Sequence, residues 1–396
     1  MTTDVDVAVV GLGGIGSAAA YWLARRPGIR VAAFEQFELG HPYGASEDVS
    51  RIIRRSYHRR DYVRLTARAY EAWGEVEAAS GAPIVTRTGG LDVGPREVAA
   101  GTEIDIETYA DAMAAEDVPF ERLDGPEIVR RWPAWRLGDE HVGLFQADTG
   151  IVDPSYGNAA HRRLAREHGA VLRDRTGVVA MRDDGGGEVT LHLEDGATVR
   201  AGQVVLATDA WANELLAPMG ARLPLTVTQE QVAWFTPGGD AALFTESRFP
   251  VWIWMDEPSF YGFPTHGRPG PKIGQDVGGH TVTPATRTFD ADPDALARTR
   301  AFLERHLPGM AGDPFLVKTC LYTLTPDRDF VVDRVPGHDP ILVLLGAAHA
   351  YKFASILGRI AAELVVDGST PSAPELAAFR ADRLALREVR PARFVV

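Results

Sequence analysis

The first 35 residues alternate between short apolar runs, a glycine-rich turn and a stretch with helical spacing of apolar positions. Residues 5–10 are apolar enough to predict a strand, and residues 31–34 predict a second one. Between them, residues 11–16 have the sequence GLGGIG and open a helical pattern that continues through residue 24. The pattern therefore predicts a β-α-β unit at the start of the chain.

The glycines of this turn have the spacing of a dinucleotide-binding loop. Gly11 allows the tight turn, Gly13 lets the backbone approach a pyrophosphate, and Gly16 allows close helix packing. Gly14, in the same turn, is a further candidate cofactor contact. Glu35 ends the second strand, where its carboxylate accepts hydrogen bonds from ribose hydroxyls. These residues predict nucleotide binding and leave the choice between FAD and NAD open.

The remaining pattern predicts two domains, one α/β and one built on an antiparallel sheet. An aromatic, strand-rich region extends from residue 223 to about residue 321. Helices are predicted at residues 51–73, 103–115, 153–169, 295–306 and 351–366, and further short strands at 189–193, 198–201, 204–207 and 341–345.

Composition narrows the class of protein. The chain has 396 residues, 45% of them apolar and 24% charged, which is typical of a globular protein. It carries 41 basic and 54 acidic side chains, a net charge of −13, which disfavours nucleic acid or an anionic membrane as a partner. The acidic start does not resemble a secretion signal, and no apolar run is long enough to span a bilayer.

Cysteine and motif content indicate a reducing compartment and no metal. The single cysteine, Cys320, excludes an internal disulfide, so we expect a cytoplasmic protein. The chain has no GxSxG, HExxH or CxxC motif, which gives little support to a hydrolase or a metalloenzyme. Only Lys272, Lys318 and Lys352 among the 41 basic residues are lysines, so each is a candidate for a site that needs a compact ammonium.

Several motifs resemble the monomeric sarcosine oxidase and N-methyltryptophan oxidase family, within the D-amino-acid oxidase-like superfamily. The resemblance is strongest at residues 5–73, 204–215, 249–280 and 317–365, and includes KTCLYTLTP around Cys320 and HAYKF from His349. It implies a Rossmann-like FAD domain from residues 1–84, 150–217 and 320–396. The implied substrate domain, with an antiparallel sheet, consists of residues 85–149 and 218–319.

The resemblance implies that FAD is attached through a thioether to Cys320. Attachment needs a thiolate, and cationic neighbours would favour that form. The alternative is an inert buried thiol. Further cofactor contacts implied by matching positions are Gln36, Ser50, Arg51, Ala207, Trp211, Gly346 and Lys352.

The matching basic residues have distinct implied roles. Arg51 lies against the flavin, while Arg54 and Lys352 hold the substrate carboxylate and orient its α-carbon. Lys272 lies on the opposite flavin face and stabilises superoxide as oxygen is reduced. Lys272 is alternatively a solvated loop residue.

Four pocket positions follow or depart from the family pattern. Tyr261 and Tyr322 match pocket tyrosines, although Tyr322 also fits a packing role. His349 keeps the family's ring but is flanked by alanines instead of glycines, and Asp276 replaces a second histidine, so it is free to pair with an amine or with Arg54.

Three further positions add open alternatives. Trp252 and Trp254 either line a large pocket or fill the core, and the pattern does not choose between these. Asp209 replaces a usual glycine, so we expect a different local turn.

These features predict an FAD-dependent oxidase that acts on a secondary, N-methyl or cyclic, α-amino acid. Hydride transfer to the flavin gives an imine, and molecular oxygen is then reduced to hydrogen peroxide. The predicted catalytic residues are Lys272, Arg51, His349 and Tyr261. A flavin dehydrogenase with another acceptor, or a flavin-loaded subunit without its own turnover, are the alternatives, and the substrate and the oligomeric state stay open.

Overall fold

The computed structural model describes residues 3–98 and 105–387. Its helices are α1 (Gly14–Ala24), α2 (Arg60–Ser80), α3 (Ile106–Ala114), α4 (Gly125–Arg131), α5 (Pro154–Glu167), α6 (Ala212–Leu216), α7 (Pro293–His306), α8 (Ala354–Val366) and α9 (Ala373–Leu376). Its strands are β1 (Thr3–Val10), β2 (Val31–Phe34), β3 (Arg51–Ile53), β4 (Val85–Arg87), β5 (Gly90–Pro95), β6 (Glu121–Asp124), β7 (His141–Gln146), β8 (Gly150–Val152), β9 (Val171–Arg173), β10 (Val178–Gly185), β11 (Glu188–Leu193), β12 (Thr198–Leu206), β13 (Thr226–Phe235), β14 (Val251–Trp254), β15 (Phe260–Phe263), β16 (Lys272–Gln275), β17 (His280–Thr281), β18 (Pro314–Leu324), β19 (Val331–Val335) and β20 (His338–Leu345).

The first sheet is the nucleotide-binding type predicted from the start of the chain. Its strand order is β10-β11-β12-β1-β2-β9, with β20 beside β12 and β19 beside β20. The central strands β20, β12, β1, β2 and β9 are parallel. Helices α1 and α8 pack so closely that a methyl group on Gly358 would lie 2.5 Å from the carbonyl carbon of Ala18. The sheet therefore presents the carboxyl ends of its parallel strands at one edge, where ligands bind in such folds.

The second sheet is largely antiparallel, as expected for the substrate domain. Its order is β17-β13-β16-β15-β14-β5-β7-β6, with β18 beside β13, and among the strands described only β14 and β5 pair in parallel. A third, small sheet has the order β3-β8-β4. Because β18 pairs with β13 from Pro314 to Leu324, we propose that the second domain extends to Leu324 rather than ending before Cys320.

The predicted helix at residues 51–73 is wrong in its first part. Residues Arg51–Ile53 form β3, which pairs with β8, and the helix begins only at Arg60. The two β-branched isoleucines of β3 are buried against the core, which suits a strand better than a helix. The apolar stripe that suggested the helix is correct, since Tyr62, Leu65, Ala69 and Trp73 are all buried.

Two smaller differences concern strand and helix ends. The predicted strands at 198–201 and 204–207 are one continuous strand, β12. The predicted helix at 351–366 begins as a 3₁₀ turn, Tyr351–Phe353, before α8. Among the described helices, none is long and apolar enough to cross a membrane.

Candidate active site

A cavity of ≈ 680 Å³ extends from the glycine turn after β1 to the face of the second sheet. Its volume falls within the usual range for small-molecule and cofactor sites. One end is lined by the start of α1 and the end of β2, and the other by β14, β15 and β18. The cavity therefore joins the nucleotide-binding edge of the first sheet to the second domain.

Tight packing explains the glycines at the nucleotide end. A methyl group on Gly16 would lie 1.8 Å from the carbonyl oxygen of Gly11, and one on Gly11 would lie 2.6 Å from that of Ala207. Gly11 also has a φ of 90°, a conformation that favours glycine. The start of α1, which carries the positive end of the helix dipole, consequently faces the cavity.

Glu35 is held as a carboxylate at the end of β2. It accepts hydrogen bonds from the backbone N–H groups of Leu12 at 2.8 Å and Phe37 at 3.2 Å, and His41 lies 3.4 Å away. Burial alone would raise the pKa of Glu35, but the contact with His41 and the two backbone hydrogen bonds outweigh burial and lower the pKa. The carboxylate is therefore ionised where a ribose hydroxyl can donate to it.

Most of the predicted cofactor contacts line this cavity. They are Gly11, Gly13, Gly14, Glu35, Gln36, Arg51, Ala207, Trp211, Cys320, Gly346 and Lys352. Gly16 and Ser50 do not reach the cavity wall in the described residues. Gly16 acts through packing, and Ser50 acts through its contact with Lys272.

Lys272 is buried beneath the cavity, and its ammonium donates to three hydrogen-bond acceptors. Its Nζ donates to Asp48 Oδ2 at 2.6 Å, to Ser50 Oγ at 2.9 Å and to the Ser50 carbonyl at 3.0 Å. The ammonium also lies 4.5 Å from the ring centre of Phe263. Burial lowers the pKa of Lys272 to about 8, although Asp48 opposes the change. The solvated-loop alternative for this lysine is wrong, because its side chain is only 2% exposed.

Asp48 connects Lys272 to Arg51, and sequence reasoning missed it. Its Oδ2 accepts from Lys272 Nζ and, at 2.8 Å, from Arg51 Nη1. Burial would raise the pKa of Asp48, yet the two cations keep it far below its usual value. One carboxylate thus fixes both basic side chains, and only their three-dimensional contact reveals its role.

Cys320 lies half-buried in the cavity wall at the middle of β18. Burial raises the pKa of its thiol to about 11, while Arg51 and Lys272 act in the opposite direction. The expected cationic neighbours are therefore present, but they do not offset the effect of burial on the thiol pKa. The carboxylates of Glu230 and Asp48 act in the same direction as burial and raise the thiol pKa further.

Arg54 and Lys352, from distant parts of the chain, meet at the other end of the cavity. Both line the wall and are buried, with exposures of 2% and 8%. Tyr57 joins them, because its ring lies 4.6 Å from the Arg54 guanidinium and its hydroxyl accepts from Lys352 Nζ at 2.9 Å. Burial and the charge of Arg54 hold the pKa of Lys352 well below its ordinary value.

Asp92 is the acidic partner of Arg54 and was not predicted. Arg54 Nη1 donates to Asp92 Oδ1 at 3.3 Å, and Tyr109 covers the guanidinium at 5.4 Å. The Nε of Arg54 is buried and has no partner among the described residues. A buried guanidinium with an unused donor can bind a further anion.

Asp276 pairs with Arg328 rather than with Arg54. The pair is bidentate, at 2.8 and 3.1 Å, and Asp276 still lines the cavity. His349 Nε2 lies 2.9 Å from the carbonyl oxygen of Arg328. Because a carbonyl only accepts, this nitrogen carries the proton, and burial keeps the pKa of His349 well below its usual value. His349 is therefore neutral.

Tyr261 and Tyr322 both line the same end of the cavity. Their hydroxyl oxygens are 3.3 Å apart, and they extend from β15 and β18. Burial raises the pKa of Tyr261 and of Tyr322, so both hydroxyls stay protonated. Tyr322 therefore reaches the cavity, and its role in substrate binding stays a prediction.

Trp252 and Trp254 do not line the cavity, which favours the core alternative over the substrate contact that the sequence also left open. Their rings pack against Phe302 of α7, with ring centres at 5.6 and 5.3 Å. Ile253, between them, lines the cavity instead. Successive side chains of a strand point to opposite faces, so the two tryptophans share the core side of β14.

Two turns at the cavity adopt a left-handed backbone without glycine. Asp209 has a φ of 48°, and Ala347 and Ala348 have φ values of 43° and 74°. Asp209 thus keeps the kind of conformation that a glycine would favour, which corrects the expectation of a different turn. Non-glycine residues pay of order 1 kcal/mol for this conformation, and such positions cluster near functional sites.

The FAD dependent oxidoreductase family matches residues 6–364. The chain belongs to this family. A monomeric sarcosine oxidase of Streptomyces avermitilis is 35% identical over 93% of this chain and 96% of its own length. An N-methyl-L-tryptophan oxidase of Salmonella typhimurium is 32% identical, covering 96% and 98%. The predicted family resemblance is confirmed, and this flavoenzyme uses FAD.

A solved structure confirms the fold of this flavoenzyme. The open form of NikD, described as an unusual amino acid oxidase essential for nikkomycin biosynthesis, is 30% identical with a TM-score of 0.85. The similarity covers 97% of this chain and 99% of NikD. The predicted combination of a Rossmann-like FAD domain and a second, antiparallel domain is thereby confirmed.

Proposed function

We propose that this flavoenzyme oxidises a secondary α-amino acid, either N-methylated or cyclic, to an imine, with oxygen reduced to hydrogen peroxide. The observation that carries the proposal is the pair of buried cations, Arg54 and Lys352, at one end of the FAD cavity. Two such cations joined through Tyr57 suit a carboxylate. The relatives named as oxidases of N-methyl amino acids support the same substrate class.

The charge balance at this end of the cavity favours a monoanion. When Lys352 is protonated, Arg54, Lys352 and Arg328 are three cations and Asp92 and Asp276 are two carboxylates, so these five groups carry a formal charge of 3 − 2 = +1. Burial and the neighbouring cations lower the pKa of Lys352, and a bound anion would favour its protonated form. A substrate carboxylate would neutralise this charge. A buried charge without a partner is costly, which gives the site a reason to bind one anion.

The other groups at this end would orient the rest of the substrate. Tyr261 and Tyr322 present protonated hydroxyls, and Asp276 offers a carboxylate held in place by Arg328. His349, being neutral, does not add a further positive charge beside Lys352. We propose that these groups fix the α-carbon relative to the cofactor while the two cations hold the carboxylate.

FAD supplies the ring that accepts a hydride and later returns the electrons to oxygen. The glycine turn, the start of α1 and the Glu35 carboxylate would hold its adenosine diphosphate part. Arg51 and Lys272, both bonded to Asp48, would lie against the ring. We propose that Lys272 stabilises the negative charge that develops on oxygen.

We also propose that Cys320 holds the cofactor covalently. Its position in the cavity wall near Arg51 supports this proposal, while its raised pKa implies that attachment is faster at alkaline pH. A cytoplasmic location remains part of the proposal, in keeping with the single cysteine.

Peroxide release by the isolated chain tests the proposed function. The purified protein is mixed with N-methyl and cyclic amino acids in air, and peroxide is measured together with substrate loss. One peroxide per substrate consumed is expected. Flavin reduction without peroxide would indicate a dehydrogenase with another acceptor, and no reduction by any amino acid would indicate a flavin-loaded subunit without turnover.

A further inference from the structure

Arg162 differs from the other basic side chains of the cavity. Five lysines and arginines line the wall, and four of them donate hydrogen bonds: Arg51 to Asp48, Arg54 to Asp92, Lys318 to Glu47 and Lys352 to Tyr57. Arg162 makes no hydrogen bond or ion pair within residues 3–98 and 105–387. The nucleotide end of the cavity therefore contains a cation with an unused guanidinium.

The helix that carries Arg162 is fixed to the start of α1. Asn158, one turn earlier on α5, donates from Nδ2 to the carbonyl of Ser46 at 3.1 Å, and the Ser46 hydroxyl accepts from Gly14 N–H at 2.9 Å. Tyr351 donates to Asn158 Oδ1 at 3.0 Å, and its ring would lie 2.8 Å from a methyl group on Gly14. This network places the inner face of α5 beside the glycine turn.

Arg162 lies in the field of both Glu35 and Tyr351. The pKa of Arg162 is lowered by burial, and Tyr351 and Glu35 oppose that change only in part. Arg51 and Arg54 behave differently, because their acidic or phenolic neighbours outweigh burial and raise the pKa. Arg162 is therefore a partly buried cation that lacks a full counter-charge.

We infer that Arg162 binds a phosphate group of the dinucleotide cofactor. In a fold of this kind the diphosphate lies between the ribose-binding acid at the end of β2 and the start of α1, the region that Arg162 borders. A guanidinium can meet two phosphate oxygens at once, and the α1 dipole adds a second attraction for the same anion. The inference rests on the FAD family and does not depend on the proposed substrate.

The test measures cofactor affinity rather than activity. Full-length Cys320→Ser protein is stripped of flavin, so that FAD binds reversibly whether or not the native protein attaches it. Arg162→Gln, Arg162→Lys and Arg163→Gln are then added separately to this background. Arg163 is the matched control, because it follows Arg162 on α5 but bonds outward to Glu167 and Ser80. FAD is titrated by fluorescence, and ADP is added as a competitor.

Arg162→Gln should weaken FAD binding about 10- to 100-fold, as expected for the loss of a hydrogen bond to a charged group. The affinity for ADP should fall by the same factor, because ADP retains the phosphates. Arg162→Lys should recover part of the loss, and Arg163→Gln should match the parent. FAD affinity within twofold of the control, or an unchanged ADP affinity, would overturn the inference. The inference would also be overturned if Arg162→Lys and Arg162→Gln lost FAD affinity equally and both lowered the unfolding temperature of the apoprotein.

Discussion

Removing the charge of Lys272 should separate the two halves of the catalytic cycle. In Lys272→Met, anaerobic flavin reduction by substrate should change only a few-fold, because the proposed carboxylate contacts, Arg54 and Lys352, lie at another part of the cavity. Reoxidation by oxygen should slow about 100- to 1000-fold, the usual cost of losing one preorganised electrostatic donor. Stopped-flow absorbance of the flavin measures both rates.

The pKa of Lys272 adds a second, independent signature. With a pKa of about 8, the ammonium is about 90% protonated at pH 7 and about 10% protonated at pH 9. The reoxidation rate of the wild-type enzyme should therefore fall about ninefold over this interval, because the charged form is lost as pH rises through the pKa. Lys272→Met should show no such fall.

Lys318→Met is the matched control for this experiment. Lys318 lines the cavity wall, whereas Lys272 lies beneath it, and Lys318 is half-buried and bonds to Glu47 instead of Asp48. Its removal should leave both half-reactions within a few-fold of the wild type. Equal losses in the two half-reactions of Lys272→Met, or an unchanged pH profile in that variant, would refute the assignment of Lys272 to oxygen.

Three further predictions concern the carboxylate site and the cofactor bond. Arg54→Ala should weaken the binding of simple carboxylate ligands by about 1.5–3 kcal/mol per charged hydrogen bond lost, whereas Arg55→Ala should not. Binding is measured by the spectral shift of the flavin, and equal carboxylate affinities in the Arg54→Ala variant and the wild type would contradict the site. Tyr57→Phe keeps the ring over Arg54 but removes the hydroxyl that accepts from Lys352. Carboxylate affinity should therefore fall less than in Arg54→Ala, by about 0.5–1.5 kcal/mol. A loss as large as that of Arg54→Ala would show that Tyr57 acts through packing. The acid-denatured wild-type protein should stay yellow, whereas the Cys320→Ser variant should release its flavin into solution. Release of all flavin from the wild-type protein would exclude a covalent bond to Cys320.

Local sequence patterns predicted the nucleotide end of the cavity well. The glycine turn, α1 and Glu35 lie within 35 residues, and each is defined by its immediate neighbours. The error at residues 51–59 arose because the apolar stripe of α2 was extended backwards over a strand. That strand exists because Ile52 and Ile53 pair with β8, about 100 residues away.

The groups that sequence reasoning missed act through distant contacts. Asp48 meets Lys272 across 224 positions, and Asp92 meets Arg54 across 38. Neither acid belongs to a motif with recognisable spacing. The two tryptophans of β14 show a different limit of the sequence pattern. Their aromatic side chains were compatible with a pocket or with the core, and only the orientation of the strand determines that they fill the core.

The most direct test of the proposed function compares an N-methyl or cyclic amino acid with the matching amine that lacks the carboxylate. Each compound is mixed anaerobically with the wild-type enzyme, and the rate of flavin bleaching is recorded. We predict that the amino acid bleaches the flavin and that the amine does so at least about 10-fold more slowly, since at least one charged contact is lost. Equal rates would contradict this prediction and would make Asp276 the better candidate for recognition of a cationic amine.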